Sequence, residues 1–124
     1  MAGLCDALAI KFDLADRTRS LYAAGDKEGL RRLAENEYTA LLSRLDAFYQ
    51  AFRTQWYTVN KTYGFEIQDA RLGGLMQRIK SCRERLLAFC DGDIDKIEEL
   101  SEPVLSNDGG NVPYWREMLT ACVV

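Results

Sequence analysis

The chain has 124 residues, a net charge of −3 and an isoelectric point near 5.0, with 48% apolar and 28% charged residues and no histidine. That is the balance of one ordinary globular domain. The acidic charge speaks against a nucleic-acid partner, whose phosphates need a concentrated basic face, and no apolar run reaches the length of a membrane span.

Without histidine there is no Ser/His or Cys/His nucleophile pair. Cys5, Cys82, Cys90 and Cys122 lack the short spacing of a zinc site, so they read as small buried thiols in a reducing compartment, with no metal and no cofactor. The first residues lack the charged start, apolar middle and cleavage site of a signal peptide. They enter helical pattern almost at once, as a boundary inside a longer chain would.

Residues 4–24 read as the first helix, with Leu4, Leu8, Phe12, Ala15 and Tyr22 as its stripe, widened by Ile10, Leu14 and Leu21. Gly25 falls where a left-handed C-terminal cap is wanted, and Asp26 where the next helix needs an N-cap. The second helix runs over 27–60 on Leu30, Leu33, Tyr38, Leu41, Leu45 and the residues that continue their spacing. It would be about 50 Å long, too long for a domain whose radius of gyration is about 14 Å. It must therefore bend or break, or its end must project. Phe48, Tyr49, Phe52, Trp56 and Tyr57 crowd that end on more than one face, as a second contact surface would.

Tyr63-Gly64 marks a turn, and Phe65 and Ile67 alternate with Glu66 and Gln68. Asp69 is placed to cap a third helix over 69–91, buried through Leu72, Leu75, Met76, Ile79, Cys82 and Leu86, and Gly92 ends it. Asp93 would cap a short helix over 94–100. Pro103 stops it, 106–111 is a loop, and Pro113 opens a last turn or two over 114–122. The fold class is thus all-α: an antiparallel bundle of three main helices with short C-terminal helical elements, one domain over 1–124.

The candidate site is the stretch around 63–78. Glu66 and Asp69, three apart and beside Arg71, have the residue types for acid/base work. A cap at Asp69 and a Glu66–Arg71 ion pair are the simpler account. Gly73 and Gly74 each cost a helix about 0.8–1 kcal/mol relative to alanine, and no strand or phosphate-loop frame accompanies them. They suit close approach by Trp56, Tyr57 or a group from another domain. Trp56, Tyr57 and Trp115, with Asn60 nearby, fit a sugar-stacking platform or, more commonly, an interdomain interface.

The run Tyr63-Gly64-Phe65-Glu66-Ile67-Gln68-Asp69-Ala70-Arg71-Leu72-Gly73-Gly74-Leu75, preceded by Trp56 and Asn60-Lys61, resembles the C-terminal helical region of some family 20 glycoside hydrolases, bacterial exo-β-N-acetylhexosaminidases. The resemblance extends to residues 18–33 and to the tail around Trp115. It implies a cytoplasmic parent enzyme whose chemistry belongs to a preceding (β/α)8 barrel, where an Asp-Glu pair works with the substrate's own acetamido group. This chain has no Asp-Glu dipeptide and is too short for such a barrel, so no catalytic residue carries over. The implied partners are the barrel of the same chain, a second copy in a homodimer and, through the parent, carbohydrate. A free-standing helical interaction module is the alternative from another class; a small enzyme built on Glu66 and Asp69 is the third.

Overall fold

The computed structural model of the chain describes residues 2–102. Five helices follow in order: α1 (Ala2–Ala23), α2 (Lys27–Glu35), α3 (Glu37–Val59), α4 (Glu66–Asp91) and the single turn α5 (Glu98–Ser101), with no strand among the described residues. The all-α bundle expected from the sequence is the fold. The expected last turn around 114–122, and Trp115 and Cys122 within it, lie outside the described residues.

Both glycine stops behave as read. Gly25 (φ 69°) and Gly92 (φ 87°) are left-handed. At each, two amides fold back on the last turn: Gly25 N–H to Tyr22 and Asp26 N–H to Leu21, and Gly92 N–H to Phe89 and Asp93 N–H to Ala88. Asp26 caps α2, its carboxylate accepting the Gly29 N–H at 2.8 Å. Gly29 leaves room for that cap, since a Cβ there would lie 2.5 Å from the Asp26 carboxylate.

The long second helix bends. At Asn36 (φ −99°, ψ −69°) α2 gives way to α3, yet the Asn36 N–H still reaches Arg32 and its carbonyl still accepts from Ala40. The rod is turned without being cut. Arg83 of α4 donates to the Ala34 carbonyl at 3.0 Å, and Arg17 of α1 pairs with Glu37 at 2.7 Å. The bend keeps Leu30, Leu33 and Ala34 in one core with Tyr38, Leu41 and Leu45.

α1 and α4 run antiparallel to this rod on two sides of it. Gly3 lies against Phe48 and Thr18 against Tyr38, while Asp69 meets Tyr49 and Asp91 meets Arg31. No Cα atoms of α1 and α4 come within 8 Å of each other, although Tyr22 and Phe89 touch where their rings sit 5.1 Å apart.

Three expectations are corrected. The buried residues of α1 are Ala7, Leu14 and Thr18, while Leu4, Leu8 and Phe12 are exposed, Phe12 at 91%. A small and a polar residue make the contact face, because Gly3 and Ala7 let α3 approach closely and Thr18 bonds the Leu14 carbonyl and the Tyr38 hydroxyl. Cys5 and Cys82 are exposed, and Cys90 is half-buried with its thiol on the Lys27 carbonyl at 3.3 Å, so the thiols are not core residues. The helix expected over 94–100 is one turn, α5, and Asp93 does not cap it.

Burial raises the pKa of the Tyr38 phenol, opposed in part by the Thr18 hydroxyl, which can turn its proton to a phenolate. A folded-state value above the unfolded one favours the neutral phenol. Its contribution is complete below about pH 10 and is lost as pH climbs through the raised folded value. Denaturant midpoints should therefore fall more steeply between about pH 9 and pH 11 in the native chain than in Tyr38→Phe; parallel curves would remove Tyr38 from the alkaline instability.

Candidate interdomain docking surface

The aromatic end of α3 and the start of α4 form a small second core. Phe65 is its centre: only 1% exposed, with ring centroids of Tyr49, Phe52, Trp56 and Tyr57 at 6.0, 5.6, 5.8 and 5.3 Å. Trp56 is half-buried, edge-on to Phe52, and its indole N–H donates to the Lys61 carbonyl at 3.0 Å. That bond pins the turn that Asn60 opens. Asn60 leaves the helix in extended conformation (φ −121°, ψ 166°) with its N–H on the Trp56 carbonyl. Gly64 (φ 96°) completes the reversal, a conformation that glycine adopts without strain.

α4 begins at Glu66, one turn before the expected start, so Glu66 to Gln68 are helical and not part of the connection, and Asp69 is no cap. Glu66 instead turns its carboxylate back to the Gly64 N–H at 2.8 Å. Asp69 accepts the Tyr49 hydroxyl proton at 2.6 Å, and this bond chiefly raises the Tyr49 pKa. Among the described residues Arg71 forms no ion pair with Glu66, because that carboxylate faces the turn. Each acid of the proposed pair thus has a structural partner. Nothing in the sequence spacing pointed to Tyr49 as the partner of Asp69, twenty residues away.

Gly73 and Gly74 sit half-buried on α4. A Cβ on Gly73 would find nothing within 4 Å among the described residues, so neither Trp56 nor Tyr57 packs there, contrary to one of the two expected occupants. Trp56 and Tyr57 both pack on Phe65, and Arg53 lies over the Tyr57 ring at 5.6 Å. These contacts make the rings part of a packed cluster. Outside it stand Tyr63, 87% exposed, and the exposed Val59 and Ile67, while Tyr57 keeps part of its ring exposed at the cluster's edge. Neither Val59, read as part of the second helix's stripe, nor Ile67, read as part of the connection, was singled out in the sequence.

Among the described residues no group of three or more Cys, Asp or Glu side chains is arranged to hold a metal, and no helix is long and apolar enough to cross a membrane. The pattern of a known family, described as the Glycoside Hydrolase 20C C-terminal domain, matches residues 1–119. The chain belongs to this family. A 20C C-terminal domain is, by that description, a piece of a family 20 glycoside hydrolase, in agreement with the resemblance carried by residues 56–75. No curated protein matches this 20C domain.

Proposed function

We propose that this chain is a non-catalytic docking domain of a β-N-acetylhexosaminidase, one that packs its α3–α4 end on the catalytic barrel of the same protein. One observation carries the reading: every exposed large apolar side chain among the described residues (Leu4, Leu8, Phe12, Tyr57, Val59, Tyr63 and Ile67) lies on the half of the bundle that holds the α3–α4 junction and the start of α1. A one-sided apolar surface of this kind marks a protein contact. A catalytic domain joined ahead of Ala2 would arrive at that same end. The structural engagement of Glu66 and Asp69 supports a scaffold role, with the chemistry left to the parent, a cytoplasmic bacterial glycosidase releasing terminal N-acetylhexosamine. The isolated chain should not turn over a chromogenic N-acetylglucosaminide that the parent cleaves; turnover by the chain alone would sink the scaffold reading.

The glycines give a sharper test. With no described atom within 4 Å of its Cβ position, Gly73→Ala should stabilise the isolated chain by up to about 1 kcal/mol through helix propensity alone. Gly73→Leu should leave the isolated chain folded and yet loosen the parent, lowering the melting temperature of its catalytic domain. Equal tolerance in both settings would place the glycine pair in solvent.

The row Leu4, Leu8 and Phe12 sits on a different helix from the aromatic junction and favours a second contact, with another copy of the domain. Light scattering that finds only monomer at high concentration would count against it.

A further inference from the structure

α1 and α4 stay apart and leave a groove between them, with α3 as its floor. One end is closed by the segment after Gly92, and the way that segment is held shows what the groove accepts. Ile97 is buried and Leu100 half-buried against the core. Glu98 and Glu99, between them, pair with Arg85 of α4 at 3.3 and 2.9 Å. From the α1 wall Arg19 donates to the carbonyls of Glu99 and Glu102, both at 3.1 Å, and the Tyr22 hydroxyl accepts the Ile97 N–H at 3.0 Å. The groove thus grips a short segment through apolar side chains on its floor and carboxylates on its basic α4 wall.

The same chemistry is repeated farther along. Beyond the segment lies a hollow of about 240 Å³ over buried Leu14, Leu41 and Ile79. It is smaller than the roughly 300–1,000 Å³ of small-molecule sites and suits a few side chains of a polypeptide. Arg78 and Cys82 border both this hollow and the space beside the segment, so the two adjoin. Arg78 stands seven residues before Arg85, about 10 Å away along the same side of α4, and Lys11 lines the α1 side. Among the described residues neither Arg78 nor Lys11 forms an ion pair. Arg71 and the exposed Ile67 continue this side of α4 at spacings of seven and four residues, so the groove runs out toward the α3–α4 end.

We infer that this half of the groove receives an acidic amphipathic segment of the catalytic domain, a placement that rests on the docking of the α3–α4 end proposed above. The segment lays its apolar side chains over Leu41 and Ile79 and its carboxylates on Arg78 and Lys11, as Ile97, Glu98, Glu99 and Leu100 do one step along the groove. The division of labour is the usual one at a contact: rim charges set partner and register, each exposed pair contributing little to affinity, while the apolar floor supplies the burial. A basic segment would set like charges against Arg78 and Lys11, and a wholly apolar one would cover two cations without pairing them, which is costly. Charge therefore narrows the occupant to an acidic one.

Cys82 is the reporter, since it is exposed and lines the hollow. Its alkylation by N-ethylmaleimide is followed by peptide mapping in the isolated chain and in the parent enzyme, at low and high salt. The expected result is a rate roughly tenfold lower in the parent, where reaction passes through a transiently opened form. Arg78→Glu in the parent should restore most of the rate, as should high salt, which screens the rim charges. Lys11→Glu gives the same reading should Arg78→Glu impair folding. Equal rates in parent and isolated chain would overturn the inference and leave the docking standing, since docking is read separately as slowed hydrogen exchange of residues 57–69 in the parent. Fast exchange there as well would sink both. Protection of Cys82 in the isolated chain would assign the groove to the chain's own residues, or to a second copy if it rises with concentration, and overturn the inference either way. Protection in the parent that neither charge reversal nor salt relieves would mean a partner without the stated acidity and equally overturn it.

Discussion

Phe65→Ala is expected to destabilise the α3–α4 junction by about 3–5 kcal/mol, the range for removing a buried aromatic ring. Phe65 holds no hydrogen-bond role through its side chain. Its effect comes from the four rings that converge on it: Tyr49, Phe52, Trp56 and Tyr57. It also lies outside the main core, which runs from Ala7 and Leu14 through Leu30, Leu41 and Leu86 to Ile97. The loss should therefore be local. Hydrogen exchange of residues 57–69 should accelerate by orders of magnitude while amides near Leu41 and Leu86 keep most of their protection. A uniform loss along the chain would show that the two cores melt together, and a loss below about 1 kcal/mol would show that the rings repack without Phe65.

Leu30→Ala is expected to cost about 2–5 kcal/mol, this time for the whole domain. Leu30 has no solvent exposure. It stands on α2, a helix of nine residues, too short to persist in water without tertiary contacts. Leu30, Leu33 and Ala34 fix α2 to the core, and α4 ties on through Arg31–Asp91, Lys27 to the Phe89 carbonyl and Arg83 to the Ala34 carbonyl. Those polar links are mostly exposed and contribute little each, so a cavity at Leu30 leaves them nothing to close on. Chemical denaturation reads the change as a lower midpoint with an unchanged slope. A shift of a few tenths of a kcal/mol would mean the site collapses around the gap.

The sequence made the helices legible wherever their ends carry local chemistry. Gly25, Asp26 and Gly92 announce their roles through conformations and hydrogen bonds that few other residues supply, and the structure places all three as read. The mistimed start of α4 has the opposite cause. Asp69 has the residue type of a cap, but Phe65 must be buried among the α3 rings, and that burial pulls the helix start back to Glu66. The α1 face was misread because apolar size is a poor guide where helices pack closely. Gly3 and Ala7 admit α3, whereas the larger Leu4, Leu8 and Phe12 point away. The candidate site was legible as a place and not as an arrangement. Trp56, Tyr57, Phe65, Glu66 and Asp69 do gather at one junction, but Tyr49 and the turn around Lys61 come from pairings that depend on tertiary packing. Among the described residues Arg71 does not pair with Glu66 as foreseen, and nothing in the string of letters showed that no described atom lies beside Gly73.

The one-sided distribution of exposed apolar residues also bears on assembly. A patch confined to one half of an elongated body can satisfy itself by meeting its own image across a two-fold axis, and that pairing closes. Open fibres need two different complementary surfaces on each copy, and the end formed by α2, the Gly92 turn and α5 offers no large exposed apolar side chain among the described residues. Separated from its neighbours, the domain is therefore expected to stop at a discrete, finite species and not to grow without limit.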